Sequence, residues 1–308
     1  MRFPADRVLV VGADGFVGAN LVAWLQARGV AHHAIGRAAG DLSEPGQADA
    51  AFRAAPACDL IFHLVTRQRT GPVQYDLQGE LLAINSRIHL NVLEAWRRHQ
   101  PQAMLLSAGS SCTYPEQDEP LPEEAFGAAG VHPSVIGYAQ AKLLLAAGSR
   151  VYAEQYGLRY LHCVLATLYG PRDHLAPDRS HFMGAMIARA AREKAQGAPA
   201  FTVWGRPDVV REVLYVEDQI EALMAAAAVF ENRIVNCAAN APLTIGDAAE
   251  AIRRALDWPA PITYPADTFV SASRKVLDST RFLQATGWRP RWTLDAGVKA
   301  VLADLGAS

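Results

Sequence analysis

Short apolar runs alternate with longer segments of helical periodicity through the first half of the chain. The apolar runs predict five strands, namely RVLVVG, HHAIG, DLIFHLV, AMLLSA and YLHCVLAT. The segments between them have helical patterns, and two of these predict helices over about 76–100 and 134–156. Nearly continuous apolar strands joined by helices are typical of a parallel sheet covered on both faces. We therefore predict an α/β fold with a doubly wound parallel sheet.

The pattern loosens after the sequence YGPRD, where proline and glycine become frequent. Helical periodicity then returns in four segments, at about 180–196, 217–231, 244–257 and 293–305. Only short apolar runs separate them, which indicates a smaller α/β lobe rather than a second full sheet. We place the boundary at the LYGP turn. This gives a sheet domain over 1–170 and a second part over 171–308 that mainly forms the lobe. Some later segments are expected to rejoin the main sheet.

Composition narrows the classes of partner. The net charge of −2 gives no reason to expect nucleic acid or an anionic membrane as a partner. No apolar stretch approaches the roughly 20 residues that span a bilayer, and the first strand begins almost at the start of the chain, so we expect no signal peptide. The cysteines lack the spacing of metal ligands, at Cys58, Cys112, Cys163 and Cys237. We expect a soluble, reduced, cytoplasmic protein without a bound metal.

A glycine-rich turn follows the first strand and opens the first helix. Its glycines have the spacing G-x-x-G-x-x-G in VLVVGADGFVGANLVAWL. Gly12 permits the tight turn, Gly15 lets a pyrophosphate approach the backbone, and Gly18 lets the helix pack closely. The helix N-terminus presents free amides and a positive dipole end to phosphates. We predict a dinucleotide site bordered by Gly12, Gly15, Phe16, Val17 and Gly18, with an ordinary structural turn as the alternative.

The end of the second strand predicts which dinucleotide binds. An acidic residue there would accept a hydrogen bond from the ribose 2′-hydroxyl of NAD. The sequence HHAIGRAAGDL instead has Arg37 at that point, and a guanidinium suits the 2′-phosphate of NADP(H). Asp41 and Leu42 follow, and we expect them beside the adenine. The alternative for Arg37 is a solvated surface side chain.

Two residues in the stretch GYAQAK predict an acid for catalysis. Tyr138 and Lys142 stand four residues apart on a predicted helix and so share a face. The lysine is expected to lower the pKa of the tyrosine from about 10, which would make the phenol a usable acid. Such a pair is common by chance. Here it follows a nucleotide-binding turn and a strand that ends at Ser110, and this order indicates a reductase.

The chain resembles the extended short-chain dehydrogenases/reductases, the NAD-dependent epimerase/dehydratase family. The glycine turn, Ser110, Tyr138 and Lys142 stand in the order expected of that family. The resemblance implies a Rossmann-type fold in which the tyrosine protonates or deprotonates the sugar oxygen. It also implies that the serine holds that oxygen and that Lys142 binds the nicotinamide ribose.

A closer resemblance runs from about residue 103 to the C-terminus. It is carried by the stretches GSSCTYP, GYAQAK, LYGPRDHLAPDRSHFMGAMI, VWGRPDVVREVLYVED and SRKVLDSTRFLQATGW. These look like the GDP-L-fucose synthase family, whose members are NADPH-dependent epimerase-reductases of GDP-4-keto-6-deoxy-mannose. The resemblance implies that Cys112 and His181 are the epimerisation base and acid, and we also place His181 in the cofactor site.

The chemistry agrees with these residue types. A ketone at sugar carbon 4 acidifies the hydrogens on carbons 3 and 5, so one group must remove a proton and another must return one to the opposite face. A thiol with an ordinary pKa of about 8.5 and an imidazole near about 6.5 both exchange protons near neutrality. Tyr138 and Ser110 would hold the enolate oxygen. NADPH would then deliver hydride to carbon 4, with Tyr138 as the proton donor.

Cys112 and His181 each have a structural alternative. A cysteine beside a strand end is most often a small buried residue. His181 is otherwise a first-turn helix residue that faces water, with Ser180 as the N-cap. Alternation along an extended segment would point Ser110 and Cys112 to the same side, which would give the thiol access to the substrate.

Further residues are predicted to bind the nucleotide part of the substrate. Arg189 and Arg211 are candidates for the diphosphate, because a guanidinium binds phosphate in a bidentate way. The resemblance places Lys275 and Trp204 near the substrate nucleotide. For each of the four, a surface ion pair or a core aromatic is the alternative.

The resemblance also implies a homodimer. Its members form an intersubunit four-helix bundle, which here would use the helices over about 76–100 and 134–156. The leucine run KLLLAA in the second helix agrees with that role, and ordinary packing onto the sheet is the alternative.

Three departures from the family pattern leave the sugar open. Thr167 precedes LYGP where the family has asparagine, and VTRQRTGPVQYDLQGE, with Arg67 and Arg69, replaces a glycine-rich stretch that lines the sugar pocket. Asp14 stands where the family's first glycine loop has a basic residue. The alternative function is therefore a related 4-keto reductase or a single-carbon epimerase-reductase on another nucleotide-linked keto sugar.

Two other classes are less favoured. Dehydratases carry an Asp-Glu pair after a threonine upstream of the tyrosine, whereas SSCTY is followed by no acidic residue until Glu116. A nucleotide sensor that kept only the fold would typically lose Tyr138 or Lys142, and both are present.

Overall fold

A computed structural model of the protein describes residues 5–71, 73–174, 179–266 and 273–307. The strands in chain order are β1 (Arg7–Val11), β2 (Ala31–Ile35), β3 (Leu60–His63), β4 (Met104–Ser110), β5 (Arg159–Leu165), β6 (Thr167–Tyr169), β7 (Phe201–Thr202), β8 (Val210–Tyr215), β9 (Arg233–Cys237), β10 (Pro242–Thr244), β11 (Ile262–Thr263) and β12 (Arg274–Lys275). The helices are α1 (Phe16–Ala27), α2 (Pro45–Ala54), α3 (Val73–Asp76), α4 (Gln78–His99), α5 (Ile136–Tyr156), α6 (Phe182–Ala195), α7 (Val216–Val229), α8 (Ile245–Ala255), α9 (Thr280–Thr286) and α10 (Leu294–Asp304).

Six parallel strands form the central sheet, in the order β2-β1-β3-β4-β5-β9. The five predicted strands are its first five in chain order, and β9 extends the sheet beyond β5. The strands β3 and β4 are buried almost throughout, because helices cover both faces of the sheet. The predicted α/β fold with a doubly wound parallel sheet is confirmed.

The helices divide between the two faces of this sheet. Leu21 of α1 and Ile220 of α7 belong to the hydrophobic cluster on one face. Phe52 of α2, Trp96 of α4 and Leu145 of α5 belong to the cluster on the other face. The first of the two long helices predicted from periodicity is preceded by the short helix α3, and the second begins after a 3-10 turn over Pro133–Val135.

The C-terminal lobe has its own core, built around β8. This strand pairs with β6, β10 and β12, and α6, α8 and α10 contribute to the surrounding hydrophobic cluster. The four helices predicted after YGPRD are present as α6, α7, α8 and α10, with ends within two residues of those predicted. However, α7 packs on α1 and β9 lies in the main sheet, as expected for segments that rejoin it.

Within the described ranges, no helix is both long enough and apolar enough to cross a membrane.

Candidate active site

A cavity of about 1790 Å³ opens where the carboxyl ends of β1, β3, β4 and β5 face the C-terminal lobe. This is the edge at which parallel α/β sheets bind their ligands. Every site residue predicted from the sequence borders the cavity, from the glycine turn at one end to Trp204 and Lys275 in the lobe. The structure therefore brings the predicted residues together, and their individual roles stay predictions.

The glycine turn forms one end of the cavity. Gly12 has a φ of +97°, in the region that favours glycine, and a Cβ on Gly18 would overlap the Gly12 carbonyl oxygen. Helix α1 begins just after Gly15, and among the described residues no side chain caps it. Its first amides therefore stay available to a phosphate. Phe16 and Val17 also border this end, so the turn fits a dinucleotide pyrophosphate.

The outer part of this end carries one cation and two carboxylates. The backbone amide of Arg37 donates to Asp14 Oδ2 over 2.5 Å, so that Asp14 lies against the end of β2. The side chain of Arg37 is exposed at the cavity. Asp41 accepts a hydrogen bond from the Ser43 amide over 2.9 Å, which lowers the pKa of its carboxyl. Leu42 is buried beside it.

Helix α5 holds Tyr138 and Lys142 at the centre of the cavity. Its start is fixed by Gln78, whose side chain accepts from the Gly137 amide over 2.6 Å. A Cβ on Gly137 would overlap the Gln78 carbonyl oxygen, so the glycine allows α5 to approach α4 closely. Both Tyr138 and Lys142 are buried, and Lys142 Nζ donates to the Ala108 carbonyl over 2.9 Å.

The expected effect of Lys142 on Tyr138 is wrong. Burial raises the pKa of Tyr138, the neighbouring Cys112 raises it further, and a hydrogen bond with Ser110 lowers it only in part. Burial also lowers the pKa of Lys142 to about 8. The lysine amine lies 5.8 Å from the centre of the phenol ring and bonds to backbone instead. Tyr138 therefore holds its proton near neutrality, as a proton donor must.

Cys112 lies in a turn rather than in an extended segment. The strand β4 ends at Ser110, and Ser111–Thr113 form a 3-10 turn, so the predicted alternation from Ser110 to Cys112 is wrong. The turn is capped by Ser110 Oγ, which accepts from the Cys112 amide over 3.2 Å. Both side chains border the same cavity, because the turn folds the cysteine back over the serine.

The Cys112 thiol is surrounded by groups that favour its charged form. Burial raises the pKa of the thiol, but Lys275, Ser110 and Arg211 together lower it below the ordinary value. Lys275 Nζ lies 3.5 Å from Cys112 Sγ. Three other cysteines are buried in the core, and burial raises the pKa of both Cys58 and Cys237. Cys112 is the cysteine suited to proton transfer.

His181 is the N-cap residue of α6, not the first-turn residue behind a Ser180 cap that the sequence suggested. Its Nδ1 bonds to Asp173 Oδ1 over 2.9 Å, and its ring centre lies 5.3 Å from that of Phe16. The side chain is 26% exposed, whereas that of Asp173 is 4% exposed. His181 thus joins the lobe to the glycine turn and presents its ring to the cavity.

Asp173 is a site residue that sequence reasoning missed. It follows Arg172, which has a φ of +65°, and a Cβ on Gly184 would lie 2.6 Å from its Oδ2. The stretches PRDH and HFMG therefore fit together so that the carboxylate reaches the imidazole. The signal available in the sequence was an acid eight residues before a candidate histidine, but nothing in the spacing showed the contact.

The four residues predicted to bind the nucleotide separate into two pairs. The Arg189 guanidinium lies 3.3 Å from the centre of the Trp204 ring, and Trp204 is 64% exposed. This pair lies at the lobe end of the cavity. Arg211 and Lys275 are register partners on β8 and β12, and both approach Cys112 instead.

Three residues that depart from the family pattern, Arg67, Arg69 and Thr167, also border the cavity. Arg67 forms an exposed ion pair with Glu80.

Across the described residues, no group of three or more His, Cys, Asp or Glu side chains is arranged to hold a metal ion.

Known proteins include a family, curated relatives and solved structures that are similar to most or nearly all of the chain. The NAD dependent epimerase/dehydratase family matches residues 8–238. A probable GDP-L-fucose synthase 1 of Oryza sativa subsp. japonica is 28% identical over 304 residues, covering 96% of this chain and 92% of that protein. A GDP-L-fucose synthetase from Naegleria fowleri bound to NADP has a TM-score of 0.87 at 20% identity, covering 98% and 93% of the two chains. A GDP-6-OMe-4-keto-L-xylo-heptose reductase from C. jejuni has a TM-score of 0.86 at 18% identity and covers 98% of each chain.

Proposed function

The chain belongs to the NAD dependent epimerase/dehydratase family, and from this membership we propose an NADPH-dependent epimerase-reductase that acts on a GDP-linked 4-keto-6-deoxy sugar. GDP-4-keto-6-deoxy-mannose is the substrate we expect. The relative from Oryza sativa is similar over nearly the whole length of the chain, and its name is that of such an enzyme. The structural neighbour from Naegleria fowleri is bound to NADP.

One observation carries the proposal: the cavity holds two proton-transfer groups in addition to a reductase triad. Ser110, Tyr138 and Lys142 are sufficient for the reduction of a ketone. Cys112 and His181 border the same cavity from different elements, and plain hydride transfer has no use for either. A thiol with a lowered pKa can serve as the base, and an imidazole held by a carboxylate can serve as the acid.

The proposed epimerisation uses the groups at these positions. Ser110 and the protonated Tyr138 donate to the oxygen on carbon 4, which stabilises the negative charge that develops when the adjacent carbon loses its proton. The Cys112 thiolate removes that proton, and His181 returns one to the opposite face. Asp173 holds the Nδ1 of His181, so that Nε2 is the nitrogen left to serve the substrate.

The reduction uses the same tyrosine. When NADPH is bound, it supplies a hydride for carbon 4. The turn of Gly12, Gly15 and Gly18 would hold its pyrophosphate at the first amides of α1, and Arg37 would bind the 2′-phosphate. Tyr138 gives its proton to the oxygen on carbon 4, and Lys142, which is buried beside it, would bind the nicotinamide ribose. Arg189 and the exposed Trp204 hold the nucleotide of the substrate.

Replacing Cys112 with serine tests the proposal. The expected result is loss of deuterium incorporation from solvent at carbons 3 and 5, by about 10² or more, while oxidation of NADPH with a 4-keto sugar continues. The measurement is mass spectrometry and NMR of the recovered sugar in D₂O. Cys163→Ser, which alters a buried cysteine outside the cavity lining, is the matched control. Wild-type enzyme that incorporates no deuterium at either carbon contradicts the epimerase proposal.

A second candidate is a 4-keto reductase or single-carbon epimerase-reductase on a different nucleotide-linked sugar. Arg67, Arg69 and Thr167 at the cavity wall favour it, as does the structural similarity to a heptose reductase. A panel of GDP- and UDP-linked keto sugars separates the two. Faster turnover of a sugar other than GDP-4-keto-6-deoxy-mannose, or deuterium at only one carbon, supports this candidate.

We further propose a cytoplasmic homodimer whose interface is the bundle of α4 and α5 with the same helices of a second copy. Support comes from apolar side chains left exposed along these helices, at Leu82, Leu90, Ile136, Val151 and Tyr156.

We also propose a dinucleotide-binding domain over 1–170 and a substrate-binding lobe that is formed mainly by 171–308. The cofactor end and the nucleotide end of the cavity lie on opposite sides of that boundary.

A further inference from the structure

Two cations on adjacent strands of the lobe face the turn of Cys112. Lys275 extends from β12 and Arg211 from the neighbouring β8, at paired positions in the register. Lys275 Nζ lies 3.5 Å from Cys112 Sγ, and Arg211 is only 8% exposed. The short strand β12 thus brings a residue that is distant in sequence against the catalytic turn.

The other polar groups around the thiol are neutral. Ser110 lies on β4 directly before the turn, and Tyr138 faces it from α5, where burial keeps the phenol protonated. Among the residues that the structure describes, the charged groups that act on the sulfur are therefore Lys275 and Arg211, both positive. A negative sulfur in this partly dry site gains from both charges.

Lys275 has the larger effect of the two on the pKa of the thiol, and its ammonium donates to the sulfur. Within the described ranges, the Cys112 sulfur is the hydrogen-bond acceptor shown for Lys275 Nζ. Arg211, by contrast, donates from one guanidinium nitrogen to the Val210 carbonyl over 2.8 Å, which turns part of its charge toward backbone. The lysine is thus the main counter-charge of the thiol.

We propose that Lys275 is the positioning residue that holds Cys112 as a thiolate before substrate binds, an inference that rests on the proposed role of Cys112 as the base. In this arrangement, the thiolate accepts the proton of the carbon next to the ketone and becomes a thiol, while Lys275 keeps its own protons. The role differs from nucleotide binding, the function that the sequence suggested for Lys275.

The rate of alkylation of Cys112 by iodoacetamide, followed by mass spectrometry as a function of pH, tests this without any sugar or cofactor. The thiolate is the reacting form. In wild type, the rate is expected to rise through an inflection below the ordinary thiol value of about 8.5. In Lys275→Gln the inflection moves up by about one unit or more, so that alkylation near neutral pH slows roughly tenfold. Lys275→Arg retains most of the wild-type rate because the charge remains.

Lys299→Gln, an exposed lysine on α10 outside the cavity lining, is the matched control and is expected to follow wild type. Superimposable profiles for wild type and Lys275→Gln overturn the proposal. If Lys275→Gln does not fold, the wild-type profile decides alone, because an inflection at or above that of a free cysteine excludes a stabilised thiolate.

Kinetics separate this proposal from the proposed function. If Lys275→Gln only raises KM for the sugar nucleotide and leaves the alkylation profile unchanged, the lysine binds substrate and the proposal fails. If the alkylation profile shifts as expected but no sugar incorporates deuterium in wild type, the thiolate is real and the epimerase function fails instead.

Discussion

A single carboxylate sets the orientation of the imidazole at the active site. Asp173 accepts from the His174 amide over 2.8 Å and contacts His181 Nδ1 over 2.9 Å. We expect Asp173→Asn to slow deuterium incorporation roughly tenfold to a hundredfold, because the amide no longer fixes the orientation and tautomer of the imidazole. NADPH oxidation should fall less. Solvent-exchange NMR measures the first rate and absorbance measures the second.

Asp304→Asn is the control for this prediction. Asp304 accepts from the Arg172 amide over 2.9 Å, so it supports the same loop without touching His181. Equal losses in the Asp304 and Asp173 variants would show that the loop, rather than the orientation of the imidazole, is responsible.

Asp14 places a negative charge beside the expected site of the NADP 2′-phosphate. Its carboxylate is fixed 2.5 Å from the Arg37 amide, where it repels a phosphate and can accept from a ribose hydroxyl. We expect Asp14→Asn to tighten NADPH binding by about 1 kcal/mol, or roughly fivefold, and to leave NADH binding equal or weaker. Fluorescence titration of each cofactor measures this. Asp208→Asn, outside the cavity lining, should change neither, and tighter binding of NADH in Asp14→Asn would contradict the argument.

At the scale of elements, β3, α4 and β5 bury three histidines next to Lys142. His63 bonds to His89 over 2.9 Å and Ser107 bonds to His162 over 2.8 Å. Burial, together with the nearby charge of Lys142, lowers the pKa of His63 and His162 to about 3 and that of His89 well below its ordinary value. These histidines therefore stay neutral in the folded protein at pH values where the unfolded chain binds protons.

Stability should consequently fall as pH drops from about 6.5 toward about 3. Between those values the unfolded state holds more protons than the folded state, so each histidine costs up to about 1.4 kcal/mol per pH unit. Urea unfolding at a series of pH values measures the slope. His63→Gln should reduce this slope by about one proton. A slope equal to that of wild type in this variant would contradict the assignment.

Periodicity predicted the elements but not the contacts between them. The apolar runs located β1 to β5 because each buried strand is continuous in sequence. The seven-residue helix α9 was not predicted. The turn at Ser111–Thr113 also escaped prediction, because its serine, cysteine and threonine residues have no strong conformational signal. Lys275 stands 163 residues from Cys112, and only the pairing of β12 with β8 brings them together.

The site residues predicted from the sequence all border one cavity, but the surroundings predicted for some of them were wrong. Lys142 was expected to act on the phenol, whereas burial dominates the pKa of Tyr138. Desolvation depends on how many atoms surround a group, which no spacing shows. The family resemblance identified Cys112 and His181, whereas only the folded structure shows that Lys275 and Asp173 are their partners.

At the scale of the whole molecule, the long helices α4 and α5 leave an apolar surface that the chain does not cover. Leu90 on α4 and Val151 on α5 are 46% and 47% exposed, although both helices pack well against the sheet through their other faces. A contiguous patch of large exposed apolar side chains is typical of a protein interface, which agrees with the proposed dimer. Association through two such pairs of helices would bury them in a four-helix bundle.

Sedimentation equilibrium should therefore give a mass of twice 33.2 kDa for wild type at micromolar concentration. Leu90→Asp should shift the protein to the monomer, because an unpaired carboxylate at the centre of the bundle loses its hydration. Val229→Asp, at an exposed apolar position on α7 that is 52% exposed, should remain dimeric. Because Leu90 does not border the cavity, the Leu90 variant should keep NADPH binding within about twofold of wild type. A wild-type monomer, or a dimer that survives Leu90→Asp, would place the interface elsewhere.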